Sequence, residues 1–261
     1  MMQFLPKIDY PDNEKPKLVL LENLFREWYQ HFAYPSSGLE KEVADGIVFD
    51  GFYPHYFNQK KRILFIGWEA YGIAEDNYLD VLYKSYSKDK RVNNQYLNRH
   101  KFHARMLRIA YGIVYEKQLW QDIPKASEIG DAFGTASGLS FAFMNVSKLS
   151  NESGGTAADR RLIDKAHCLS TGSRNFIQEE IAILEPHVII TMCLGSKIDS
   201  LGQLKKIYAS EQANSFWLDC NGHRAVLIDT WHFSARRKKA ITDYYVPICD
   251  AIQRSEAAST I

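Results

Sequence analysis

Three short stretches of this sequence combine side chains that could do chemistry. The first is Gly67-Trp68-Glu69-Ala70-Tyr71-Gly72. The second is Asn145, which follows Phe141-Ala142-Phe143-Met144, and the third is Trp231-His232-Phe233-Ser234-Ala235-Arg236. They supply a carboxylate, a carboxamide that both donates and accepts, and an imidazole that titrates near neutral pH. Taken singly, each has a plainer reading. A loop glutamate can be a cap or a solvated side chain, a histidine can be a hydrogen-bonded core residue, and an asparagine can satisfy a turn backbone. Gly67 and Gly72 lack the G-x-x-x-x-G-K-[ST] and G-x-G-x-x-G spacings, so no nucleotide cofactor is expected. Ser147, Ser153 and Ser234 lie outside any G-x-S-x-G, which leaves a serine hydrolase without support.

The stretches share one property: each comes directly after a run that reads as a buried strand. Ile63-Leu64-Phe65-Ile66-Gly67 is continuous, apolar and β-branched, as are Leu139 to Val146, His187 to Cys193 and Ala225 to Thr230. Phe216 to Cys220 and an Asn221-Gly222 turn predict a hairpin-like entry to the last of these. Helical spacing predicts an amphipathic helix over Lys15 to Phe32, one opened by Ser173 and stopped by Pro186, and one from Arg236 to about Ile252. Strands alternating with helices predict a three-layer α/β/α sandwich around a central parallel four-stranded sheet. Residues 1–44 read as a loose polar arm and a helical extension, 45–255 as the α/β/α domain and 256–261 as a tail. In an open parallel sheet, ligands bind beyond the carboxyl ends of the strands, where these three stretches would converge.

The chain of 261 residues is 46% hydrophobic and 24% charged, enough for a sizeable core. With 32 basic against 31 acidic residues the formal charge is +1, so nucleic-acid binding would need local clustering of charge. No apolar run is long enough to span a bilayer and no signal peptide is evident, which predicts a cytoplasmic protein without a membrane partner. Cys168, Cys193, Cys220 and Cys249 form no C-x-x-C pair; they read as reduced thiols, with neither zinc nor an iron–sulfur cluster. Cys168 and Cys193 in particular read as small apolar packing residues.

As an ordered set, over about residues 60 to 240, the three stretches resemble the uracil-DNA glycosylase superfamily. Glu69 and Tyr71 fall on the aspartate and tyrosine of its Gly-Gln-Asp-Pro-Tyr-His loop, Asn145 on its strand-end asparagine, and His232 and Ser234 on its His-Pro-Ser loop. Ala70 and Phe233 replace the prolines of those loops, and Gly72 stands where the best-known members have histidine. Trp68 and Glu69 replace the usual Gln-Asp pair. The resemblance is therefore to a divergent branch. It implies a monofunctional DNA glycosylase that needs no metal or cofactor, with DNA as partner and a damaged base, most plausibly uracil, flipped into the crevice. Breaking an N-glycosidic bond builds positive charge on the sugar and negative charge on the base. Glu69 would then orient water and stabilise the sugar, and His232 would donate to the departing base. Asn145, Tyr71, Trp68 and Gly67 would form the base pocket, with Phe133, Phe141 or Phe143 stacking on the base.

Local charge points the same way. Seven cations, Lys84, Lys88, Lys90, Arg91, Arg99, Lys101 and Arg105, alternate with Tyr86, Tyr96 and Phe102, which suits either a nucleic-acid groove or a solvated helical face. Arg236-Arg237-Lys238-Lys239 would oppose the dipole of the helix they open unless an anion binds there. Ser234, Arg236 and Arg237 are thus expected to contact DNA phosphates. Two other functions fit the same sequence: a catalytically silent nucleobase- or nucleic-acid-binding module, and a hydrolase of small N-glycosides.

Overall fold

The protein was analysed as a computed structural model, which describes residues 4–34, 37–73, 77–117, 119–153 and 158–258. Seven strands form its main sheet: β1 (Gly51–Phe52), β2 (Ile63–Gly67), β3 (Ala142–Asn145), β4 (Val188–Met192), β5 (Gln203–Ala209), β6 (Ala213–Cys220) and β7 (His223–Thr230). They lie in the order β1-β3-β2-β4-β7-β6-β5. The expected four-stranded parallel sheet is thus corrected to a seven-stranded mixed one. Its central strands β3-β2-β4-β7 do run parallel, but β1, β6 and β5 extend the two edges antiparallel. The β6–β7 hairpin turns at Asn221 and Gly222, both with positive φ (50° and 79°), as a two-residue Asn-Gly turn requires.

Both faces of the sheet are covered, which explains why the central strands read as unbroken apolar runs. Ile63 and Phe65 of β2 point into one core with α3 (Lys101–Val114) and α6 (Val246–Ala258); Leu64 and Ile66 point into the other. That second core holds α1 (Lys15–Ala33), α4 (Arg160–Ser170) and α5 (Phe176–Leu184). Leu21, Leu24, Phe25, Trp28 and Phe32 of α1 are buried in it, so the predicted extension is a covering layer of the sheet. A further short helix, α2 (Tyr78–Lys84), is capped by the Asn77 side chain.

Three local expectations are corrected. The arm before α1 is docked: Phe4 packs on Phe49, the Tyr10 hydroxyl donates to the Phe52 carbonyl, and buried Glu14 accepts the backbone N–H groups of His55 and Phe57. The helix after Ser173 begins at Phe176, because the Asn175 side chain caps the Gln178 N–H. Nor are Arg236 to Lys239 helical. Arg237 has φ +62°, and a wide turn at Ile241–Tyr245 leads into α6, whose first turn carries Pro247. The dipole argument for those four cations therefore fails.

One polar cluster lies inside the second layer. Lys148 is fully buried, with its ammonium 2.5 Å from Asp50 and 2.7 Å from Glu180. Burial opposes its charge, yet the two carboxyl groups outweigh that and hold its pKa above the ordinary value. Burial and then repulsion from Asp50 push Glu180 well above the usual carboxylate range, which favours its protonated form. Removing the cation would leave two buried carboxyl groups without the charge that balances them. Lys148→Met is therefore expected to lose about 3–5 kcal/mol of stability, read from its urea denaturation midpoint at pH 7; a midpoint equal to that of the parent would refute the account.

Candidate active site

Parallel strands put their carboxyl ends on one edge of the sheet, so β2, β3, β4 and β7 deliver their following residues to the same side. The chain leaves β2 for β3 on one flank and returns to β4 on the other, and the switch point lies between β2 and β4. Trp68 spans that junction: its indole N–H donates to the Met192 carbonyl (3.1 Å), and Arg160 lies over its ring. The β2–β3 pairing runs on past the strands, with Val146 and Ser147 donating to the carbonyls of Gly67 and Trp68. With β4 between them, the ends of β2 and β7 are roughly 10 Å apart, two inter-strand spacings.

Gly67 and Asn145 are directly paired in register. A Cβ on Gly67 would meet Asn145 Oδ1 at 2.6 Å and Phe143 Cζ at 3.2 Å, so only glycine lets the amide lie flat against the β2 backbone. Asn145 is buried, and its backbone N–H donates to Asp50 Oδ2 at 2.8 Å. Among the described residues its side-chain amide has no hydrogen-bond partner, which leaves it free to read a ligand. Phe143 stacks on Tyr78 (4.9 Å between centroids) and lies 6.5 Å from Phe102, which in turn lies 5.4 Å from the His232 ring. One aromatic wall thus connects the β3 end to the β7 end. Of the proposed stacking rings, Phe133 and Phe141 are buried around Tyr53 in the core, and Phe143 alone reaches this wall.

His232 is half-buried. Its Nδ1 is 2.7 Å from Ser234 Oγ and 3.3 Å from the Ser234 backbone N. A backbone N–H can only donate, so Nδ1 is the acceptor and the proton sits on Nε2. Burial lowers the pKa, which favours this neutral form. Ser234, expected to meet a phosphate, also orients the imidazole. The Tyr244 hydroxyl holds the same loop by donating to the His232 carbonyl at 2.9 Å.

Glu69 is held apart from this pair. Its Oε1 accepts from Asn151 Nδ2 (3.0 Å) and from the Asp159 backbone N–H (3.1 Å) at the start of α4. Its Oε2 is buried and, among the described residues, has no hydrogen bond. Burial raises its pKa above 4.5, and the bonds from Asn151 and Asp159 offset part of that. Tyr71 lies beyond it in a two-residue bridge, Ala70–Tyr71 with Ser150–Asn151, and is 45% exposed. Arg236 and Arg237 are exposed on the loop after His232. Cys168 and Cys193 are exposed as well, not packing residues as expected. Among the described residues no group of His, Cys, Asp and Glu is arranged to hold a metal, and no helix is long and apolar enough to cross a membrane.

The structure therefore brings Gly67 and Asn145 into contact and joins them to His232 through Phe143 and Phe102. Glu69 shares their edge of the sheet but contacts Asn151 and Asp159. Asp50, Tyr78 and Asn151 escaped the sequence reading because nothing local marks them, and Phe102 was read only as one ring of the basic and aromatic stretch. Asp159 carried a signal, an acid just before a helical run. The fold and this edge define an α/β protein with a mixed sheet, helices on both faces and a polar cluster at the topological switch point. No known protein family and no curated protein sequence matches the chain.

The protonation states are open to test. Glu69 binds its proton more tightly in the folded than in the unfolded chain, so its ionisation reduces stability as pH rises through the carboxylate range. Glu69→Gln keeps the Oε1 acceptor and removes that charge. Its melting temperature should equal or exceed the parent's at pH 7, and the gap should close as pH falls below about 4.5; a variant melting well below the parent at pH 7 would contradict it. Gly67→Ala should cost about 1–3 kcal/mol and displace the Asn145 amide, visible as a shift of that side chain's NH2 resonances.

Proposed function

We propose that the protein is a DNA glycosylase of the uracil-DNA glycosylase type, releasing a damaged base, most plausibly uracil, from a nucleotide flipped into the crevice at this sheet edge. The observation that carries the reading is that one edge of the sheet bears both a buried carboxylate at the β2 end, whose Oε2 has no hydrogen bond among the described residues, and a neutral imidazole with its proton on Nε2 at the β7 end. The reaction needs an anion near the sugar and a donor at the base. Asn145, whose side-chain amide against Gly67 has no hydrogen bond among the described residues, would supply the two-way recognition that the edge of a base requires.

In this mechanism the C1′–N bond breaks and its electron pair leaves with the base. Glu69 steadies the oxocarbenium-like sugar and aligns a water. As that water's oxygen bonds to C1′, its proton passes to solvent through the carboxylate. His232 donates from Nε2 to the base oxygen where charge gathers, and the base takes a proton from solvent once free. Phe143 and Tyr78 give an apolar wall against which a flat ring can lie.

The test is a panel of oligonucleotides carrying uracil, hypoxanthine, xanthine or a thymine mismatch, scored for alkali-labile sites after incubation. The parent protein should cleave at least one member. Glu69→Gln and His232→Leu should each slow that cleavage by about 10²–10³-fold while remaining folded. Unchanged rates in both variants would remove the assignment. An inert panel with retained oligonucleotide binding would identify a silent binding module, and release from nucleosides alone would identify a small N-glycoside hydrolase.

A further inference from the structure

A second feature lies on the other side of the His232 loop, at the start of α3. A cavity of about 280 Å³ opens there, and Arg99, Lys101, Arg105, Arg108 and Lys125 are five of its ten lining residues; the other five carry no charge. Two of the cations are structural as well as electrostatic. Arg105 is buried and donates to the carbonyls of Phe233 and Lys238, which fixes the loop carrying His232. Arg108 donates to the carbonyls of Trp120, Ile123 and Pro124 at 2.9–3.1 Å, which fixes the loop carrying Lys125. Among the described residues neither guanidinium makes a close ion pair, although Glu128 attracts Arg108 from nearby.

Arg99, Lys101 and Lys125 are exposed at the rim, and among the described residues their side chains make no ion pair. The carboxylate close by, Glu128, is occupied by the Lys125 backbone N–H at 3.0 Å. The first turn of α3 contains no acid and its N-cap supplies no side-chain acceptor, so the positive end of the helix adds to the same field. Five like charges around one cavity repel one another, and rigid guanidinium planes held by neutral carbonyls remain available to an anion. The volume is several times the roughly 30 Å³ of a water molecule.

The residues lining the cavity also connect to the candidate site. Phe102, between Lys101 and Arg105 on α3, touches His232, and Arg236 and Arg237 are exposed on the loop that Arg105 anchors. Positive charge therefore runs from the cavity to the crevice edge. We propose that this cavity is a phosphate-binding site that grips the backbone of a single nucleic-acid strand beside the nucleotide presented to the crevice. The choice of a nucleic-acid ligand rests on the glycosylase reading; the site itself does not require base excision.

The experiment compares the full-length parent with Lys101→Ala/Lys125→Ala and with Lys205→Ala/Lys206→Ala, a control pair on exposed β5 positions. Binding of a labelled, undamaged single-stranded oligonucleotide is followed by fluorescence anisotropy from 50 to 200 mM salt. Loss of two phosphate contacts should weaken binding about tenfold or more and make the slope of log affinity against log salt shallower by about 1.4. The control pair should match the parent, and Lys101→Arg/Lys125→Arg should restore the slope. An unchanged slope in the alanine pair overturns the proposal. Titration with inorganic phosphate, followed by the Trp120 indole NMR signal, separates a smaller ligand. A phosphate shift with unaltered oligonucleotide binding rejects the nucleic-acid assignment. A loss of slope in a protein inert on the base panel supports this site and fails the glycosylase reading alone.

Discussion

The candidate site depends on a buried lysine. Lys148 stands three residues after Asn145, where the chain leaves the sheet, and its ammonium is enclosed by Asp50 from the segment before β1 and Glu180 from α5. Asp50 uses its other oxygen to accept the Asn145 backbone N–H. The position of Asn145 is thus tied to an ion pair inside the α1 and α5 layer, with the Trp28 ring 5.0 Å from the same ammonium. Buried ion pairs contribute little net stability over an apolar replacement of the same shape, but they tolerate few geometries. Here that intolerance fixes a strand end, which an apolar cluster of equal volume would locate less sharply.

Burial does opposite things at the β2 and β7 ends of this sheet edge, and both suit the proposed chemistry. It makes the Glu69 anion less comfortable than an exposed carboxylate, which leaves the charge poorly solvated and able to interact strongly with a nearby cation. It makes a cationic His232 less favourable, which keeps the ring neutral and its Nε2 proton available. Neither group is left to find its own orientation. Asn151 and the α4 N-terminus hold one oxygen of Glu69, and Ser234 holds one nitrogen of His232, so the orientation of each is fixed. The positive end of α4 stabilises the buried anion through Oε1, while Oε2 is buried without a hydrogen bond among the described residues.

Much of this was legible in the sequence, for a physical reason. A strand buried on both faces must be apolar at every position, so β2, β4 and β7 announced themselves, and the Asn221-Gly222 pair announced the hairpin. Residues just past the end of such a strand must lie at a sheet edge, which located Glu69, Asn145 and His232. The failures have physical causes too. β5 is exposed along much of its length and carries adjacent Lys205 and Lys206, so it shows neither an apolar run nor clean alternation. β1 has two residues and no pattern to detect. The helical spacing of α6 extends backward through Ile241 and Tyr244, yet Arg105 draws the carbonyls of Phe233 and Lys238 toward itself and unwinds the preceding loop. Lys148 looked like an ordinary surface cation because its partners are remote in sequence; Asp50 is 98 residues away.

That same Arg105 reveals how the molecule divides its tasks. Among the described residues it is a cation without an anion, committed to the carbonyls of a loop that would otherwise need its own hydrogen bonds. A neutral donor could have served the loop equally well in geometry, but it would have contributed no charge to the cavity beneath. Arg108 repeats the arrangement one turn along α3, toward the loop that bears Lys125. Using guanidinium groups as loop anchors puts two fixed positive charges beside the crevice at places where flexible lysines would lose more entropy on becoming ordered. The helix thereby couples the posture of the His232 loop to the charge that would draw a phosphate toward it.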